Sequence, residues 1–279
     1  MKKALTYFFA FIALNFTLQW ATFAVWLMSA GSSFADVTAM FAGKTTLPLD
    51  APMMITASGV YSITVLAVFL GCRWAVLSRN YLRSRPWGVF FWCAVAALGT
   101  IVPSLWLQQL LPELPDSTEA IMRQLLANDY GYFVLCLLAP LVEELVFRGA
   151  ILRALLQRQM HPWLAIGISA ICFALAHANP AQMPHALLMG LLLGWMFVRT
   201  GSILPGVLVH WVNNTVVFVT ARLFPWSADM ELQQLLGNDQ GRMMLALLFS
   251  MFILVPALYQ LHLQKTKGFR SAQLQHGKR

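Results

Sequence analysis

Residues 141–150 read "LVEELVFRGA": two adjacent carboxylates, Glu143 and Glu144, and a guanidinium, Arg148, inside a run otherwise suited to lipid. An ionised side chain at the centre of a bilayer costs at least about 2.5 kcal/mol, so these groups must face protein or a wet cavity and must be partnered. On a helix, Glu144 and Arg148 are i and i+4, lie on one face and can neutralise each other. Glu143 is turned from Glu144 by about 100° and is left free for chemistry. Pro140 lacks the backbone donor that would serve the carbonyl of Cys136, which predicts a kink beside the acids.

Outward from this stretch the chain is a membrane protein by composition. Of its 279 residues 59% are hydrophobic and 11% charged, and mean hydropathy is +0.66. Soluble domains carry roughly 25% charged residues. Apolar runs of spanning length, about 20 residues each, fall at 5–29, 53–75, 87–111, 131–153, 162–178, 185–200, 203–224 and 243–263. Runs such as "LALLFSMFILVPAL" do not alternate as barrel strands do. The expected fold is all-α: a polytopic membrane protein of about eight transmembrane helices around a polar intramembrane cavity. It forms a single membrane domain over 1–264, followed by a basic cytoplasmic tail, 265–279.

With the N-terminus inside, 15 of the 19 basic residues fall on inner segments, as the positive-inside rule requires. Nine of the 11 acids fall on outer segments, and the other two are Glu143 and Glu144. This predicts a multi-pass protein of a bacterial cytoplasmic (inner) membrane with both termini cytoplasmic. The net charge of +8 is spread over short loops and the tail, which points to the lipid bilayer and not to nucleic acid. Lys2 and Lys3 precede an apolar run too long for a signal peptide. Cys72, Cys93, Cys136 and Cys172 show neither a disulfide framework nor zinc-finger spacing. "DSTEAIMRQLLAND", with Asp116 and Glu119 in capping-box spacing, and "SADMELQQLLG", from Ser227 to Gly237, read as short interfacial helices.

Further polar residues recur at helical spacing. "FALAH" sets Phe173 and His177 at i and i+4, and "HWVNN" does the same for His210 and Asn214, with Asn213 turned away. In lipid each polar group needs a partner, and the cheapest arrangement gathers them in one cavity. A free carboxylate beside a neutral imidazole can hold a water and take its proton. An imidazole N–H and an amide one turn apart can donate to the oxygen of a tetrahedral intermediate. Glu143, His177 and His210 are equally candidate ligands for a divalent metal such as zinc in an open three-ligand site. Residue spacing leaves both options standing. Helix rise from the run boundaries sets Glu143, His177 and His210 at depths of about 15, 22 and 10 Å, so tilts, the Pro140 kink or shifted boundaries must bring them level.

"EELVFR", "FALAH" and "HWVNN" resemble, in order and spacing, the EExxxR, FxxxH and HxxxN/D motifs of the CAAX-protease and bacteriocin-processing (Abi) family of intramembrane peptidases, and "RTGSILPGVLVH" (199–210) resembles the family's link between the last two. The resemblance covers about 131–222, which it marks as a catalytic core. It implies an eight-helix core with a water-filled cavity and cleavage of a peptide or membrane-protein substrate. Carried over, it makes Glu143 the base, has His177 help hold the water, and gives the oxyanion to His210 and Asn214. Glu144, Arg148 and Phe173 become structural support, and metal dependence stays open. The rival functions are a proton-coupled transporter, against which the lack of an inverted repeat counts, and a non-catalytic membrane binding partner.

Overall fold

The computed structural model describes residues 1–44, 50–77, 86–225, 230 and 232–263. The expected basic tail, Arg79, Arg83, Arg85 and the proposed Ser227 cap lie outside the described residues. Those residues are all-helical, without strands. Six helices are long and apolar enough to cross a membrane: α1 (Lys2–Ser29), α3 (Ala51–Gly71), α4 (Trp87–Gln109), α8 (Met183–Thr200), α9 (Leu204–Leu223) and α11 (Gln240–Leu263). Between them lie α2 (Phe34–Phe41), α5 (Glu119–Ala127), the composite helix α6 (133–157), α7 (Pro162–Ala176) and the single turn α10 (Leu232–Leu235). Each of the eight apolar runs thus coincides with a helix.

The ends follow ordinary capping chemistry. Ser33 and Asp36 form a capping box on α2, and the Asp50 side chain accepts from Met53 N at the start of α3. Gly201, at φ +67°, ends α8 in the left-handed conformation that glycine adopts freely. The capping box expected on α5 is absent. Its N-cap is Thr118, with no side-chain cap, and Asp116 instead accepts from Thr118 N at 2.8 Å. Among the described residues of the Ser227–Gly237 stretch lies the turn α10, and Gly237 takes φ +74°.

Small residues let the helices approach. Gly190 and Gly194, four apart on α8, lie against Ala170 and Ile166 of α7; a Cβ at Gly190 would meet the Ala170 Cβ at 2.8 Å. Gly99 of α4 meets the backbone of Leu254 on α11 in the same way. Such contacts are the usual means of helix association where water supplies no hydrophobic drive. The interior they enclose includes Phe69, Phe147, Phe173, Leu145, Ile151 and, unusually, Arg148 among its largest fully buried side chains.

Candidate active site

The site is built around the irregular helix α6. Its first stretch, Phe133–Leu138, is π-helical, Ala139–Glu143 is α-helical, Glu144–Leu152 is π-helical again, and Arg153–Gln157 returns to α. Such π segments inside helices cluster at functional sites. Ala139 N–H donates to Val134 O, five residues back. In that register the missing N–H of Pro140 strands the carbonyl of Leu135, not that of Cys136 as a uniform α-helix predicts. Asn214 of α9 supplies the lost donor: its Nδ2 donates to Leu135 O at 2.9 Å. The interruption in one helix therefore fixes a site residue of another.

The second π stretch carries the acids. Arg148 Nη1 donates to Glu144 Oε1 at 2.6 Å, and neither side chain has any exposure. Arg148 Nη2 donates to Gly190 O at 3.2 Å, and the guanidinium carbon lies 4.5 Å from the centre of the Phe173 ring. Charge, hydrogen bonding and the ring face together compensate a guanidinium that water cannot reach. Glycine at 206 leaves room for this pair, since a Cβ there would stand 2.6 Å from Glu144 Oε2 and one of the two would have to shift.

Glu143 faces away from this pair, with its side chain 23% exposed and Oε2 3.7 Å from His210 Nε2. His210 Nδ1 stands 3.6 Å from Glu144 Oε1. Both separations exceed a hydrogen bond, so His210 sits between the two carboxylates without closing on either. Phe173 holds the histidines edge-on: its ring centre is 4.8 Å from that of His177 and 5.9 Å from that of His210. His177, the C-cap of α7, has Nδ1 2.9 Å from Phe173 O. A carbonyl only accepts, so a proton is on Nδ1, and in the neutral ring Nε2 is the acceptor.

Among the described residues no group of three or more His, Cys, Asp or Glu side chains stands close enough to hold a metal ion. Glu143, His177 and His210 as placed are therefore not a formed three-ligand set.

Other polar residues around the site have no role in the sequence reading. Asn213, next to Asn214, is buried and its Nδ2 donates to Asn214 Oδ1 at 3.2 Å. His185 of α8 approaches Asn213 and, on its other side, Ser104 of α4 at 2.6 Å. Its position in a polar-poor helix was the available signal. Trp211 Nε1 donates to the Tyr132 hydroxyl at 3.0 Å, tying α9 to the start of α6. Two residues after His177, buried Asn179 donates from Nδ2 to Asp116 Oδ1 at 2.9 Å and to Thr118 Oγ1 at 2.7 Å. Partial burial works to raise the Asp116 pKa, yet the bonds from Thr118, Asn179 and Glu119 N–H outweigh it and hold the carboxyl below its ordinary value. The loop before α5 is thus strapped to the segment that carries His177.

Residues 129–216 match the family described as Rce1-like, type II CAAX prenyl endopeptidase Rce1-like. Over 104 residues the chain is 28% identical to a Bacillus subtilis (strain 168) protein named "Putative membrane peptidase YdiL". That match spans 37% of this chain and 42% of the relative. No solved structure matches. The matched segment contains Glu143, Glu144, Arg148, Phe173, His177, His210 and Asn214 in motif order, and the chain spans less than half the length of the relative it matches.

Proposed function

We propose that the protein is an intramembrane endopeptidase that hydrolyses a peptide bond of a peptide or membrane-protein substrate within or next to the bilayer, with Glu143 as the base. The observation that carries this reading is the pairing of Glu143 with His210, 3.7 Å apart and drawn from different helices, while Glu144 is consumed by Arg148. The two groups do not bond each other, so both are free to turn to one water held beside them. Glu143 takes one proton of the water as its oxygen bonds the carbonyl carbon. The carbonyl electron pair moves onto oxygen, where the Asn214 amide and a proton on His210 Nε2 meet the charge. When the C–N bond breaks, the proton held by Glu143 passes to the leaving amine. His177 Nε2, with its free lone pair, accepts from the water and orients it. Every step uses this chain's own side chains. The charge distribution supports a cytoplasmic membrane with both termini inside.

The test compares new protein N-termini, by mass spectrometry, in cells expressing the natural protein or Glu143→Gln at equal folded levels. Termini present only with Glu143 establish the peptidase and name its substrate. Identical profiles overturn the reading, and a Glu143→Gln protein that still complements a deletion would assign a binding role instead.

A further inference from the structure

We infer that His185 is a positioning residue for this reaction, anchoring through Asn213 the Asn214 amide whose free N–H is offered to the substrate. The inference rests on the peptidase reading above and adds to it a residue from outside the three motifs.

The argument starts from one group whose role is fixed. Leu135 O, stranded by Pro140, accepts only, so the Asn214 atom 2.9 Å from it is Nδ2. Asn214 Oδ1 therefore faces Asn213, and the Asn213 atom at 3.2 Å must be a donor, its own Nδ2. That same nitrogen lies 3.5 Å from His185 Nε2. An amide nitrogen donates and does not accept, so Nε2 carries a lone pair and the His185 proton is on Nδ1. It donates to Ser104 Oγ at 2.6 Å. One polarity runs through the chain, Asn214 to Leu135, Asn213 to Asn214, Asn213 to His185 and His185 to Ser104.

Its consequence is chemical. Asn213 uses one N–H on Asn214 and the other on His185, and Asn214 uses one N–H on Leu135 while the second is left for a ligand. If the acceptor at position 185 is lost, Asn213 is no longer held with Nδ2 toward Asn214 Oδ1. Asn214 Nδ2 stays on Leu135 O, but its amide plane loses the second anchor, and its free N–H is aimed less accurately at the position where an oxyanion needs a donor. The His185 ring is no simple core filler, since it borders a cavity of about 180 Å³ that Thr100, Ser104, Leu254 and Leu258 also line.

The test uses the full chain in membranes and follows the rate at which Glu143-dependent N-termini form, per amount of folded protein. The Gln amide reaches the position of Nε2 and keeps the bond to Asn213, whereas the Asn amide reaches only that of Nδ1 and keeps the bond to Ser104. His185→Gln is expected to hold activity within about twofold, while His185→Asn loses about tenfold or more, part of the roughly 100- to 1,000-fold that removal of one oxyanion donor costs. Asn213→Leu should show the same loss, and combining it with His185→Asn should add little. Equal activity of the Gln and Asn variants, whether both native or both impaired, overturns the inference, because a packing role does not distinguish them. A Glu143→Gln control that still produces the termini sinks the peptidase reading itself, so the two failures are told apart.

Discussion

Helices α6 and α11 are both apolar and close in length, yet they hide opposite things. In α6 every residue from Glu144 to Leu152 is buried, the ion pair included. In α11 only 17% of the most apolar window is buried, and in α1 only 6%; Phe249 and Phe252 of α11 are 67% and 75% exposed. The outer helices turn their apolar side chains to lipid, and the charged helix is the one wrapped in protein. Where the solvent is hydrocarbon, the most polar segment belongs in the centre, because only other protein groups can satisfy it.

Three substitutions sharpen or break that contrast. Arg148→Ala should have the largest effect, since it leaves Glu144 charged and alone in a site with no solvent exposure. The loss is expected at about 3–5 kcal/mol, read as a fall in folded protein in detergent thermal-unfolding or protease-resistance assays. A variant with native stability would show that the centre tolerates an orphan carboxylate. Gly190→Ala should come next. Its Cβ would meet the Ala170 Cβ at 2.8 Å and Cα at 2.9 Å, forcing α7 from α8, and the same residue's carbonyl accepts from Arg148. A cost of about 1–3 kcal/mol is expected, measured by the same melts. Phe252→Ala on the outer face should stay within about 0.5 kcal/mol. A large shift there would mean that α11 packs against something other than lipid.

Much of this arrangement was readable from residue spacing. The apolar runs located the helices, and the i, i+4 relation of Glu144 and Arg148 describes the contact they make, because both are local properties of a helix. Four features were not. The π register of α6 moves the orphaned carbonyl from Cys136 to Leu135, a shift that Pro140 alone does not reveal. The Asn213–His185 and His185–Ser104 contacts join residues 28 and 81 apart, and hydropathy says nothing about which faces of α4, α8 and α9 meet. The start of α5 was misread because Asp116 spends its carboxylate on Thr118 and Asn179 in place of the helix end. The level placement of Glu143 and His210 likewise needed the crossing of α6 with α9, which no count along one helix supplies.

The brevity of α7 bears on the lipid as well as on the protein. Its 15 residues extend about 22 Å, short of a hydrocarbon core about 30 Å thick. The helix stops where His177 begins, so the wall of the domain ends inside the depth that acyl chains would otherwise fill. Such a mismatch is met by thinning the surrounding bilayer or by letting polar groups reach up to it. Where the bilayer answers by thinning, the proposed substrate would leave its helical hydrogen bonds beside α7 at lower cost than elsewhere in the membrane.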